Sequence, residues 1–294
     1  MMTSKPIAAI FGATGRQGSA VAKYLAPSFT LRCVSRRPPF SFPVSSTTTV
    51  ESVQCDLLNK QHVRHVIRDA SLIFLVHPEI QSQDGLEQER SAVSHVIDCI
   101  CEELQEKSGN SSVPPHVIYS SSIAAQEPAM HAEMKTKSFL EQYVIAKSQQ
   151  LYTYTIVRPV FFASNFKLMA EDFKAKVMIQ NAFMCYDESF AFDVIIEEDI
   201  GKLCAAIANS SLACHGKILE IASDRITPIL LRDLLAKKWN LPLLEYKKSP
   251  VPTVTLQNNE TIPMDLSMLN CKTNDLLTLV PKPQKFAEWV DKNL

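Results

Sequence analysis

In the first half of the chain, apolar residues fall into short continuous runs, separated by stretches in which apolar positions recur three and four residues apart. The runs Pro6–Phe11, Leu31–Ser35, Val50–Cys55, Ser71–Val76, His116–Ser120 and Tyr154–Arg158 predict strands. The stretches Gln17–Leu25, Lys60–Asp69, Gln88–Gln105 and Lys137–Ser148 predict helices. Strands that are apolar throughout belong in a sheet covered on both faces, and regular strand–helix alternation makes that sheet parallel. The predicted class is α/β, with a doubly wound parallel sheet. Past Pro159 the alternation is lost. Asp199 reads as the cap of a helix to Asn209, Ile218–Ile221 as a strand, Thr227–Trp239 as a helix opened by Thr227-Pro228, and Phe286–Leu294 as a terminal helix. Residues 1–158 therefore read as one doubly wound α/β domain. Residues 159–294 read as a smaller α+β lobe, not folding on its own, that covers the carboxyl edge of the sheet.

Composition narrows the function. The chain has 294 residues, 46% of them hydrophobic, enough for one large core or a core with a small lobe. A formal net charge of −1, with no basic run longer than a pair such as Arg36-Arg37, argues against a nucleic-acid partner. No apolar stretch approaches the length of a membrane span, and Met1–Ala9 is not built like a secretory signal, so a cytoplasmic location is expected. The cysteines form no C-x-x-C pair, and no histidine stands at a zinc-type spacing from a cysteine pair. They read as core residues in a reducing compartment, and no metal site is expected. Cys99 and Cys101, two apart on a helix, should point to different sides.

The loop Gly12-Ala13-Thr14-Gly15-Arg16-Gln17-Gly18 follows an apolar strand and opens a helix. A dinucleotide diphosphate needs close backbone approach and N–H donors, which such a turn and helix start supply. This is a Rossmann-type arrangement with G-x-x-G-x-x-G spacing. The segment I-F-G-A-T-G-R-Q-G resembles the NmrA-like family, atypical members of the short-chain dehydrogenase/reductase superfamily. The resemblance continues through Val34-Ser35-Arg36, Gln54-Cys55-Asp56-Leu57, Phe74-Leu75-Val76, Val117–Ser121, Arg158–Phe162 with Asn165, and Glu198–Gly201. It implies cofactor contacts from Gly12, Ala13, Thr14, Gly15, Arg16, Gln17 and Gly18 at the diphosphate. Arg36, with Arg37 beside it, would lie at the adenosine ribose phosphate, and Asp56 and Leu57 at the adenine. Val76 and His77 would lie under the nicotinamide-side ribose, and Phe162 and Asn165 near the nicotinamide. His77-Pro78 stands where the family often has a small polar residue. Because arginines, not an acid, follow strand two, the expected cofactor is NADPH/NADP+.

Several residues compete for catalytic roles. Ser120-Ser121-Ser122 ends strand five, where the superfamily places a catalytic serine, but such hydroxyls also cap backbone. His131 lies in the following loop, and an imidazole exchanges protons near neutrality. Tyr143 and Lys147 match Y-x-x-x-K, yet too few residues separate Lys147 from strand six for the helix to return to the amino edge. Lys137 fits that return and heads a K-x-x-x-E pattern with Glu141, with Lys135 as its rival. Lys137 and His131 are the catalytic candidates, and Lys137 also the ribose-contacting lysine. Glu197-Glu198-Asp199 reads as a helix N-terminus. Phe161, Phe162, Phe190 and Phe192 read either as a pocket wall or as core. The resemblance supports two functions. One is a reductase passing hydride to a small, largely apolar carbonyl, imine or enone substrate. The other is a non-catalytic NADP(H)-sensing regulator acting through a protein partner.

Overall fold

The apolar runs of the first half become neighbours in one seven-stranded sheet, ordered β3-β2-β1-β4-β5-β6-β9. The computed structural model describes residues 5–35, 48–77, 82–107, 113–126, 132–149, 151–169, 190–241, 253–255, 261–263 and 270–294. Strands β1 (Ile7–Ile10), β2 (Thr30–Ser35), β3 (Val50–Gln54), β4 (Ala70–Leu75), β5 (His116–Ser120) and β6 (Thr153–Pro159) alternate with α1 (Arg16–Leu25), α2 (Lys60–Ile67), α3 (Gln83–Glu106) and α4 (Ala132–Ser148). All pairings from β3 across to β6 are parallel. Then follow β7 (Phe161–Phe162), α5 (Ser164–Met169), β8 (Phe192–Ile195), α6 (Glu197–Asn209), α7 (Ser211–Cys214) and β9 (Lys217–Ile221). Gly216 N–H donates to Tyr154 O and Val160 N–H to Ile221 O, so β9 also runs parallel to β6. The chain closes with β10 (Asp224–Ile226), α8 (Pro228–Trp239), β11 (Thr253–Thr255), β12 (Thr261–Pro263), α9 (Leu276–Leu279) and α10 (Phe286–Asn293).

Two compact units are present. The first takes residues 1–158 and 200–219, the second 159–199 and 220–294. In the first, Ala9, Phe11, Ile73, Leu75, Val117, Tyr119 and Ile156 pack against α2, α3 and α4 through Val63, Val96, Ile100, Leu140 and Val144. The intervening strand residues Ile10, Phe74 and Ile118 are equally buried, as a sheet covered on both faces requires. Helices α1 and α6 meet closely: a Cβ on Gly201 would stand 2.5 Å from Ala20 O. Arg32 reaches from β2 to the end of α2, donating to the carbonyls of His65, Val66 and Arg68 that a helix leaves open. The second unit pairs β10 antiparallel and β7 parallel with β8, over a core that includes Phe166, Phe192, Leu231, Phe286 and Trp289. Thr227 caps α8 as read, its Oγ1 accepting from Leu230 N–H. Among the described residues no helix is long and apolar enough to cross a membrane.

Some boundaries differ from the sequence reading. Helix α3 starts at Gln83, capped by Ser82 Oγ, which accepts from Gly85 N–H. Helix α4 starts at Ala132, not near Lys137. Asp199 is not the cap of α6 but lies inside its first turn, fully buried. Its carboxylate accepts from Ser223 Oγ at 2.7 Å and Gln284 N–H at 2.8 Å, so it ties loops of the second unit together. Every described cysteine is a free thiol, and burial pushes Cys33 and Cys55 up to about 12 and Cys99 to about 11. Cys99 faces His95 while Cys101 donates to Lys147 O, so the two do point apart.

His116, at the amino end of β5, makes the fold pH-sensitive. Thr155 Oγ1 donates to Cys214 O, so it accepts from His116 Nε2–H at 2.9 Å, and Nδ1 is left to accept from Thr153 at 2.8 Å. Neutral imidazole fits this arrangement. Burial, with His215 nearby, lowers its pKa from 6.5 to about 4. Between those values the unfolded chain binds a proton that the native chain refuses, so stability rises with pH. The contribution, about 3 kcal/mol, is complete above pH 6.5 and lost toward pH 4. Urea midpoints between pH 7.5 and 4.5 should fall more steeply for the wild type than for His116→Gln. Equal slopes would remove His116 as the cause.

Candidate functional site at the carboxyl edge of the sheet

The strand order changes direction at β1, with β2 on one side and β4 on the other. In such sheets the loops at this switch form a crevice beyond the carboxyl ends. The glycine loop occupies it. Gly12 has φ +69°, a conformation open to glycine, and a Cβ there would lie 2.8 Å from Val76 Cγ1. Gly18 packs its Cα onto the same turn. Ala13 N–H donates to Val34 O and Gly15 N–H to Gly12 O, fixing the turn to β2 and to itself. Thr14, Gly15 and Arg16 are exposed. Helix α1 begins immediately, with no side-chain cap and no acidic residue in its first turn. No acidic residue of its own first turn therefore offsets its positive end.

The other predicted contacts flank this loop. Val76 and His77 follow β4 and are half-buried. After β3, Asp56 Oδ1 accepts from Leu58 N–H at 3.0 Å, and its own N–H donates to His62 Nδ1. Leu57 O is held by His95 Nδ1 at 2.6 Å, from α3. Asn59 caps α2 by accepting from the amides of Gln61 and His62. Arg36, Arg37 and His131 lie outside the described residues.

Ser120 is 1% exposed and its hydroxyl donates to Gln17 Oε1 at 2.7 Å. Ser121 donates to Glu141 Oε1 at 2.5 Å. Among the described residues the partner of Ser120 is thus a carboxamide, and that of Ser121 a carboxylate already held by Arg158. The Lys137 ammonium lies 2.6 Å from Glu89 Oε1 on α3, with both side chains buried. Glu141 receives Arg158 Nε at 2.9 Å and Nη2 at 2.6 Å. Two buried ion pairs thus sit side by side, linking α3, α4 and β6. Between them lies Tyr119, fully buried, its hydroxyl without a hydrogen-bond partner among the described residues. Burial and the carboxylates of Glu89 and Glu141 hold that hydroxyl protonated, well above its ordinary pKa. Lys135 is exposed.

Tyr143 and Lys147 form a separate group. The Tyr143 hydroxyl donates to both oxygens of Asp98, and Lys147 lies 2.6 Å from Oδ1 of the same carboxylate. The Y-x-x-x-K match is therefore a link between α3 and α4. Glu89 went unnoticed in the sequence, although a signal existed. Glu89, Val93, Val96, Ile97 and Ile100 share one helical stripe, so Glu89 stands at a core position.

In the second unit, Phe162 ends β7 and Asn165 lies in α5, both half-buried. Phe161 packs edge-on to Phe166, and Phe190 stacks with Phe192, all within or against that unit's core. Phe192 is buried in that core, and Phe161 and Phe190 are half-buried against it.

A sequence model of the NmrA-like family matches residues 4–275. No curated protein matches the chain. Among solved structures, the triphenylmethane reductase of a Citrobacter species, complexed with NADP(H), is 15% identical with TM-score 0.67, over 99% of this chain and 100% of that one. The negative transcriptional regulator NmrA, in complex with NADP, is 15% identical with TM-score 0.68, over 98% and 95%. An NADPH-dependent quinone oxidoreductase from Escherichia coli is 15% identical with TM-score 0.64, over 97% and 98%. At these identities the likeness is one of fold.

Proposed function

This chain belongs to the NmrA-like family, and from that premise we propose that its first unit binds NADPH with the diphosphate on the loop Gly12–Gly18. One observation carries the reading. The Gly12 turn is pinned against β2 and β4, while the exposed start of α1 carries no acidic residue in its own first turn. The NADP complexes of two proteins with this fold support it. Choice of NADPH over NADH follows from Ser35-Arg36-Arg37, where an NAD site would carry an acid. A guanidinium–phosphate contact is worth roughly 1.5–3 kcal/mol. Calorimetry should therefore show NADPH bound at least about tenfold tighter than NADH, with Arg36→Ala removing most of the difference. Equal affinities in the wild type would refute the choice.

The activity proposed is that of a reductase. Bound NADPH supplies a hydride to the carbon of a small, largely apolar carbonyl, imine or enone. Lys137, its charge balanced by Glu89, is assigned to the ribose hydroxyls, and His131 or water to the proton. A second reading, a regulator that binds NADP(H) and acts through a protein partner, draws on a different fact. Ser120, Ser121, Lys137 and Tyr143 all hold internal partners, which leaves them poorly placed for proton transfer. NADPH consumption with a panel of aldehydes, quinones, imines and enones separates the two. Turnover supports the reductase; tight binding with no consumption across the panel supports the regulator.

A further inference from the structure

We propose that Ser120 is a positioning residue for the diphosphate: by donating to Gln17 Oε1 it turns the Gln17 carboxamide so that its NH2 group faces the bound ligand. The inference rests on the cofactor reading above and adds a residue to it. A carboxamide is nearly symmetric in shape and opposite in polarity at its two ends. Beside a diphosphate the nitrogen end donates and the oxygen end repels. Gln17 stands in the first turn of α1 between Gly15 and Gly18, half-buried, so its orientation matters at that point.

The orientation is set from the protein side. Ser120 is 1% exposed, so its hydroxyl proton cannot go to bulk water. Its side-chain hydrogen bond among the described residues is the one to Gln17 Oε1, at 2.7 Å. In the flipped amide the hydroxyl would accept from NH2, and its own proton would be left buried without an acceptor. The flipped state is disfavoured on that ground. The Gln17 amide nitrogen has no partner within the described residues and remains available as a donor. The serine at the end of β5 thereby acts on the anion through Gln17, not on a substrate as a nucleophile.

The test is a double-mutant cycle read by calorimetry, with NADPH and adenosine 2′-monophosphate as probes. The second probe carries the adenosine phosphate but no diphosphate. Ser120→Ala should weaken NADPH about five- to tenfold and leave adenosine 2′-monophosphate within about twofold. Gln17→Ala should weaken NADPH about tenfold, and the double variant no further, because Ser120 acts through Gln17. Ser120→Thr should restore NADPH affinity. Gln17→Glu keeps an acceptor for Ser120 but presents oxygen at both ends, and should cost about a hundredfold. Unchanged affinity in Ser120→Ala or Gln17→Glu, additive losses, or equal losses for both probes would overturn the proposal. If the wild type itself fails to bind NADPH, the cofactor reading fails first and takes this inference with it.

Discussion

Gly18→Ala is expected to lower NADPH affinity by about a hundredfold or more while leaving a folded protein. The cause is backbone against backbone. A Cβ on Gly18 would stand 2.2 Å from Gly12 O, 2.7 Å from Gly12 C and 2.8 Å from Ala13 Cα. None of these atoms can rotate away. Relief requires the first turn of α1 to lift off the Gly12 turn by about 1 Å, and a shift of that size costs about a hundredfold where donors must meet a fixed ligand. Overpacking of this kind costs about 1–3 kcal/mol in stability, well within what a native domain holds in reserve. Gly216 provides the control. It too is a turn glycine, at φ +75°, but nothing lies within 4 Å of its missing Cβ. Gly216→Ala should cost about 1–2 kcal/mol of backbone strain and leave NADPH binding unchanged. A Gly18→Ala protein that binds NADPH like the wild type would refute the placement of the diphosphate on this loop.

Where local chemistry decides a feature, the sequence displayed it. Strand β5 matched the reading at both ends, because Pro114-Pro115 closes one side and a polar serine triplet the other. The glycine loop was legible because a tight turn, a close helix approach and a helix start each demand a residue without a side chain. Helices α3 and α4 were read five residues short at their starts. Gly85 looks like a breaker but lies in a first turn that Ser82 caps, and Ala132–Thr136 is too polar to display an apolar stripe. The pairing of charges was the least legible part. Lys137 and Glu141 are i, i+4 neighbours, yet tertiary packing pairs Lys137 with Glu89 from α3 and Glu141 with Arg158 from β6. A short-range rule worth a few tenths of a kcal/mol cannot compete with the cost of leaving a buried charge unpaired. The role of Asp199 was missed for the same reason: its partners Ser223 and Gln284 are remote in sequence.

That ranking of energies makes Glu141 the most consequential side chain under the candidate site. Its carboxylate is 1% exposed and accepts from Arg158 Nε, Arg158 Nη2 and Ser121 Oγ. Glu141→Ala removes the carboxylate that faces a mostly buried guanidinium, strands the Ser121 hydroxyl and leaves a void. Breaking one side of a buried ion pair costs about 3–5 kcal/mol. For a protein of this size that lowers Tm by roughly 10 °C. Removing both charges should cost less than removing one, so Glu141→Leu with Arg158→Met should melt well above Glu141→Ala. Tyr143→Phe, two residues along the same helix, is the contrasting case. It loses a hydroxyl that donates to Asp98, a carboxylate 39% exposed and already paired with Lys147. Its cost should be about 1 kcal/mol, with NADPH affinity and any turnover nearly unchanged. Thermal melts of the four proteins, each with and without NADPH, measure these differences. A Glu141→Ala protein melting within a degree or two of the wild type would show that the buried pairs contribute little. A Tyr143→Phe protein that folds but loses all turnover would return the Y-x-x-x-K pair to the reaction centre.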